Sequence, residues 1–395
     1  MATPTVKLPP KGSIIPMIRS SCKNARILAN IQVHDSSIKA LLESPVFNST
    51  YEKLSTAHGV AMPLQFQTLE SEVNLISLLS ILNFGHGYRL PLKRATGRGA
   101  YDTIRALIFG LYLASTDEDN LMSAKGLKSL SKAKVAELAQ LANHIHVEKA
   151  HPTIPGLTIG ELGGPLYELV ELITNVLNET GTILVQDRYD SLGTFVIEAL
   201  HKADQNGIAD AEVVLDELIR RFPAFQDIGT YQDQPVYVFK KALFLLHALV
   251  LRFGQGSDRR IPLPDTDQLP IFSDNVIPSM LVHFGVLDLT QATEPRLASA
   301  FGSLTVEENL AYDPTKDTEK RSGTTRGPEL SNSEAYVLRA AAVDACEMIV
   351  NRAREDGLTF SVTLPALDGW LWSVAKEGRL RSDLSRFTQA RCLLY

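Results

Sequence analysis

The chain has 395 residues, 45% hydrophobic and 21% charged, an ordinary globular balance with enough length for one large domain or two smaller ones. Its net charge of −6 argues against a broad nucleic-acid surface, which needs clustered Lys and Arg, but leaves room for a local basic pocket for one phosphate. Cys22, Cys346 and Cys392 are too few and too scattered for a disulfide framework or a zinc site, and they suit a reducing compartment. The longest apolar run, Ala242 to Leu251, is too short to span a bilayer. The Pro4, Pro9 and Pro10 segment lacks the apolar stretch of a secretory signal. The expected location is the cytoplasm, with the nucleus as the alternative.

In chain order, residues 1–20 read as a mobile arm, with prolines, lysines and little periodicity. From Ile27 the pattern turns helical. Val73, Ile76, Leu79 and Leu82 recur at helix spacing and run into Asn83-Phe84, and Ile104, Leu107, Ile108 and Leu111 repeat it after the Gly97-Arg98-Gly99 turn. Further helices are predicted over 133–146, 165–178, 191–204, 211–221, 238–253, 332–354 and 363–376. Ser331 and Glu334 have the spacing of a capping box ahead of the 332–354 helix, and Gly357 is placed to stop it. Strand signals are few. Tyr237-Val238-Phe239 pairs most simply with Ile228–Tyr231 in a small hairpin, and Thr182–Val185 fits strand or helix equally. The stretch 147–164, rich in Pro and Gly, reads as a surface loop, and 312–331 as a disordered one. These elements predict a mainly α architecture: a single compact helical domain over 21–395 with at most a small β-hairpin.

The stretch Ile271-Phe272-Ser273-Asp274-Asn275-Val276-Ile277-Pro278 carries the most chemical information. A helix opening at Pro278 suits a residue without a backbone N–H, and Asp274 then stands just upstream of the positive end of the helix dipole. A carboxylate beside an aromatic ring is a tool for cleaving a bond to a sugar; it is equally a helix cap. Gly97-Arg98-Gly99 and the Gly160–Gly164 segment fit neither a P-loop nor a dinucleotide fingerprint. His144, His146 and His151 lack partnering ligands at metal spacing and read as a solvated helix end, so no metal site is expected. His247, on an apolar face, reads as core. Of Lys240 and Lys241 only one would face a pocket, where it could hold a phosphate as a point charge; solvated lysine is the simpler reading. Trp370 and Trp372 could stack on a flat base or pack in the core. The residues alone reach a mainly α pocket protein binding a nucleoside-like ligand.

Several stretches, in order from about residue 70 to residue 395, resemble the queuosine salvage proteins, the queuosine 5′-phosphate N-glycosylase/hydrolase family. Leu82-Asn83-Phe84 is similar to that family's Leu-Asn-Phe, and Leu177-Asn178-Glu179-Thr180-Gly181-Thr182-Ile183-Leu184 to its Leu-Asn-Glu-Thr-Gly-Lys-Ile-Leu. Phe222-Pro223-Ala224-Phe225-Gln226-Asp227 resembles Phe-Pro-Ser-Tyr-Arg-Asp, and Phe239-Lys240-Lys241-Ala242 resembles Phe-Tyr-Lys-Arg-Ala with one residue fewer. Phe272, Asp274 and Pro278 align with Phe-Ala-Asp-Tyr-Arg-x-Pro, Leu371-Trp372 with a Leu-Trp pair, and Arg391–Tyr395 with a closing Arg-Cys-Ile-Tyr-Tyr. Each motif is weak alone; their ordered succession is specific.

The resemblance implies a mostly helical fold related to the helix-hairpin-helix DNA glycosylases. It implies hydrolysis of the N-glycosidic bond of queuosine 5′-monophosphate, with release of queuine for tRNA modification. It implies a small-molecule nucleotide as partner and no metal or organic cofactor; the charge and the short apolar runs above predict no direct nucleic-acid or membrane partner. Asp274 is the catalytic candidate, stabilising or attacking the oxocarbenium-like C1′. Phe84 and Phe272 would stack on the 7-deazaguanine ring, Trp372 would line the pocket, Asn83 would hydrogen-bond the base or ribose, and Lys240 would hold the 5′-phosphate. The chain departs from the pattern after Asn83-Phe84, where Tyr88 or His86 would replace a lost ring. It departs again after Asp274, where Asn275 stands in place of a Tyr. Ser373 and Ala248 replace two acids, while Asp368 offers a carboxylate nearby. Arg339 and Glu347 read as structural ion-pair candidates. The alternative is a catalytically inactive nucleotide-binding or interaction protein that kept the fold.

Overall fold

In the computed structural model, which describes residues 7–55, 64–116, 118–254, 260–301, 306–317, 325–358 and 360–395, helices dominate and strands occur only as short pairings. The mainly α expectation holds. The chain divides into two units. The first is built from Met1–Pro63, Lys202–Arg220 and Phe225–Gln389, and the second from Leu64–His201, Arg221–Ala224 and Ala390–Tyr395.

The first unit is organised on the 24-residue helix Asn332–Glu355. Its capping box is formed: Ser331 Oγ accepts the Glu334 N–H at 3.3 Å, and Glu334 Oε2 accepts the Ser331 N–H at 2.7 Å. Buried Ala335, Ala340, Ala341, Ala342 and Ala345 keep the helix slim, so other elements approach it closely. Helix Ile14–Leu28 packs there through Ile14, Ile18, Cys22 and Ala25, spaced three to four residues apart. Arg19–Glu347 (2.7 Å) and Arg26–Asp344 (2.5 Å) tie the two helices together. This packing corrects the 1–20 arm: the helix begins at Ile14, where apolar spacing outweighs Pro16, and residues 1–6 lie outside the described residues.

The hairpin Ile228–Tyr231 with Gln234–Tyr237 also lies on the long helix. Its two-residue turn, Gln232 and Asp233, has both φ angles positive, the twist a tight hairpin needs. Gly229 is obligatory: a Cβ there would meet the Tyr336 ring at 2.3 Å. Helix Leu364–Val374 buries Trp370, whose indole N–H donates to Thr50 Oγ1 at 2.8 Å and whose ring packs on Phe47 and Phe284. Trp370 is therefore core. Of the 312–331 stretch, 318–324 lies outside the described residues; beside it, Pro314–Lys316 form a 3₁₀ turn and Glu329 bridges to Thr388.

In the second unit the 24-residue helix Gly164–Asp187 takes in Thr182–Val185, which settles that ambiguity as helix. Gly181 faces the short helix Ala124–Ser129, where a Cβ would meet the Lys128 backbone nitrogen at 2.3 Å. Asn178 Nδ2 donates to the Leu127 and Leu130 carbonyls at 2.8 and 3.1 Å. The Leu177–Leu184 motif thus has a packing role in this chain. The 147–164 segment is not a plain loop: His146–Ala150 pairs antiparallel with Thr158–Leu162. The helix read over 133–146 stops at Leu138, and a 3₁₀ turn follows at Ala142–His144. Among the described residues no helix is long and apolar enough to cross a membrane.

Candidate active site

In the first unit the hairpin returns the chain to Asp227, whose carbonyl accepts the Val238 N–H at 3.1 Å. Phe239 takes a left-handed φ of 49°, uncommon for a bulky residue, and the chain turns directly into helix Lys240–Phe253. Every residue from Lys240 to Leu249 is buried, so this helix lacks a solvent face over its first ten positions. Both lysines are buried, against the simpler reading of solvated side chains, and Lys240 is 4% exposed.

Asp274 precedes helix Val276–His283. The helix opens two residues before Pro278, because Asp274 Oδ1 accepts the Val276 N–H at 2.6 Å and the Ile277 N–H at 3.3 Å and so supplies the start. Pro278 becomes its third residue. The carboxylate does act as a cap. It is half-buried, and the hydrogen bonds found among the described residues engage Oδ1 and not Oδ2.

Asp368, on helix Leu364–Val374, completes the group. It is buried, and its Oδ2 accepts the Phe272 N–H at 2.8 Å. Burial pushes its carboxyl up to about 8, the charge of Asp274 adds to the rise, and the Phe272 N–H and Lys240 oppose it. Burial lowers the Lys240 ammonium to about 8, while Asp274 holds it up. Asp274, Asp368 and Lys240 thus lie within electrostatic reach of one another. The buried Phe272 ring packs edge-on to Phe244 (centroids 6.1 Å apart) and against His247 (5.5 Å). His247 Nδ1 shares a hydrogen bond with Thr266 Oγ1 at 2.9 Å, in keeping with a core histidine.

The other expected residues are placed as follows. Asn275 is buried, and its Nδ2 donates to the Phe387 carbonyl at 2.8 Å, which anchors the segment. Trp372 is half-buried, with the Lys376 ammonium over its ring. Asn83, Phe84 and Tyr88 belong to the second unit, beyond helix Leu69–Ile81. Asn83 is half-buried, Phe84 is buried, and the Tyr88 hydroxyl donates to Glu168 Oε2 at 2.8 Å. His86 stacks on Tyr395 with centroids 4.3 Å apart. Gly85, between Phe84 and His86, takes a φ of +105°, which favours glycine.

Sequence reasoning left two features undeveloped. Asp368 was visible only as a nearby acid of unknown direction. Asp227 was visible only as the last residue of a motif, yet it forms a fully buried ion pair with Arg339. Among the described residues no group of three or more His, Cys, Asp or Glu could hold a metal ion.

A family model described as queuosine salvage protein matches residues 64–395. A queuosine 5′-phosphate N-glycosylase/hydrolase of Sphaerobacter thermophilus is 29% identical over 180 residues, 46% of this chain and 50% of the relative. Proteins with the same description from Bos taurus and Nematostella vectensis are 22% identical over 230 residues and 30% identical over 132 residues. The Bos taurus match covers 58% of each chain, and the Nematostella vectensis match 33% of this chain and 35% of the relative. The chain spans about half the length of the first curated relatives it matches.

Proposed function

Since the chain belongs to the queuosine salvage protein family, we propose that it hydrolyses the N-glycosidic bond of queuosine 5′-monophosphate and releases queuine. The observation that carries this reading is that buried Asp368 and Lys240 and half-buried Asp274 act on one another's charge, with Asp368 bonded to the Phe272 N–H. Cleavage leaves the bonding electron pair on the base and positive charge on C1′; water then adds to C1′ and gives up a proton. Asp274 is the carboxylate that stabilises C1′ and takes that proton. Asp368, protonated at neutral pH, supplies the proton that the departing base needs. Lys240 balances the Asp274 charge, a role its burial supports better than direct grip on a solvated phosphate. Phe272 offers an aromatic ring to the deazapurine, and Trp372 is a further candidate substrate contact on the same unit; Asn83, Phe84 and Tyr88, on the second unit, are candidates taken by themselves. Asn275 acts through its anchor to Phe387. The released queuine then serves tRNA modification.

A second reading, a nucleotide-binding relative without catalysis, is favoured by one observation: the cap bonds alone give Asp274 a structural reason to be present. Incubating the purified protein with queuosine 5′-monophosphate and assaying free queuine separates the two. Release that disappears in Asp274→Asn supports the hydrolase. No release from wild type, together with a nucleotide-dependent rise in Tm, supports the binding protein.

A further inference from the structure

The fully buried pair Asp227–Arg339 touches both of the chain segments that carry the reactive groups. Asp227 Oδ1 accepts Arg339 Nη1 at 3.0 Å and the Tyr336 hydroxyl at 2.9 Å. Its Oδ2 accepts Arg339 Nη2 at 2.5 Å and, at 3.2 Å, the backbone N–H of Lys240. On the other side, Arg339 Nε donates to the Ser273 carbonyl at 2.9 Å, and Ser273 Oγ donates back to the Arg339 carbonyl at 3.0 Å. Ser273 is joined directly to Asp274. One ion pair therefore grips the first residue of the Lys240 helix with its carboxylate and the peptide before Asp274 with its guanidinium.

We propose that Asp227 and Arg339 are positioning residues, a clamp that sets the distance between the Lys240 ammonium and the Asp274 carboxylate. A planar guanidinium with three committed N–H groups fixes two chain segments at once; an ammonium of equal charge cannot reproduce that fork. The left-handed Phe239 belongs to the same device, because Asp227 accepts from the residues on both sides of that turn, Val238 through its carbonyl and Lys240 through its carboxylate. The two charges also act on Lys240 in opposite directions, Arg339 lowering its affinity for a proton and Asp227 raising it. Their net electrostatic influence is thereby reduced, and geometry is left as the main lever.

This inference rests on the hydrolase reading only for its activity readout. The test is Arg339→Lys, which keeps the charge and loses the fork. The measurements are kcat and KM for queuine release, Tm, and the Lys240 titration followed by 13Cε NMR of lysine-labelled protein, assigned with Lys240→Met. The expected result is a folded protein whose kcat falls about 10- to 100-fold with KM nearly unchanged, since small displacements cost that much. The Lys240 midpoint should move by about half a pH unit or more, as its distance to Asp274 changes. An unaltered kcat and an unaltered Lys240 midpoint in folded Arg339→Lys overturn the clamp. If Arg339→Lys fails to fold, Ser273→Ala removes a single clamp hydrogen bond, and the same two readouts decide with a smaller expected fall of about 3- to 10-fold. Should wild type release no queuine, the hydrolase reading fails, and the Lys240 midpoint still judges the clamp.

Discussion

Two of the charged groups described in the first unit, the Asp227–Arg339 pair and the set of Asp274, Asp368 and Lys240, differ in the balance of acid and base. Asp227 and Arg339 are both fully buried and matched one to one, and the carboxylate accepts four hydrogen bonds, from Arg339, Tyr336 and the Lys240 backbone. Asp274, Asp368 and Lys240 are unequal: two acids share one amine, and both Asp368 and Lys240 are displaced to about 8. A satisfied pair holds structure in place, and its removal costs stability. An unbalanced group stores a poised proton, which costs stability and serves chemistry. The difference predicts opposite responses to neutralising one carboxyl in each group.

The largest effect is expected at Asp274. Asp274→Asn keeps an oxygen able to accept the Val276 and Ile277 N–H groups and removes the charge that C1′ requires. The kcat for queuine release should fall by about 10³-fold with Tm nearly unchanged. Full release by Asp274→Asn would leave this residue as a cap alone. Asp227→Asn should do the reverse, costing about 3–5 kcal/mol in urea unfolding because Arg339 is left buried and uncompensated. A loss below 1 kcal/mol would show that the pair is less tightly coupled than its four hydrogen bonds imply.

Asp368→Asn sharpens the comparison through pH. The Asp368 carboxyl binds its proton more tightly in the folded protein, about 8 against 3.8. It therefore favours folding fully below about pH 4, and that contribution is lost as pH rises toward 8. Lys240 runs the other way, about 8 folded against 10.5, so its contribution makes stability rise with pH between those values. Asp368→Asn should flatten the decline between pH 4 and 8 and raise Tm at pH 8, while kcat falls by about 10²-fold with the loss of the proton donor. In wild type the kcat profile should drop on the alkaline side near pH 8, where Asp368 releases its proton. A Tm at pH 8 lower in Asp368→Asn than in wild type would place Asp368 with the satisfied pair.

The legibility of these features follows from the range of the interactions. Helices such as Leu69–Ile81 and Ala100–Ala114 were readable because apolar periodicity is local. Asp274 stood out because ring, carboxylate and proline are adjacent in the chain. Its hydrogen bonds are equally local, yet they moved the helix start from Pro278 to Val276. The 146–162 hairpin was hidden because its strands are nearly all exposed and therefore lack the alternation that marks a half-buried strand. Asp227 and Arg339 are 112 residues apart, and Phe272 and Asp368 are 96 apart. No spacing rule reaches that far, so the clamp and the second carboxyl needed the fold.

The smallest effect is expected from Ser331→Ala, at the start of the helix that carries Arg339. The capping box contributes two hydrogen bonds, at 3.3 and 2.7 Å, and both were foreseeable from a serine and a glutamate three residues apart. Alanine leaves the Glu334 N–H without its side-chain acceptor and should cost about 1 kcal/mol. Arg339 lies eight residues further on and is held by Asp227 and Ser273, so kcat and the Lys240 titration should match wild type at temperatures where both proteins are folded. A fall in kcat without unfolding would mean that the position of Arg339 depends on the helix start as much as on its ion pair. The clamp would then extend along the whole N-terminal half of the helix, and the matched pair and the Asp274, Asp368 and Lys240 group would belong to one device.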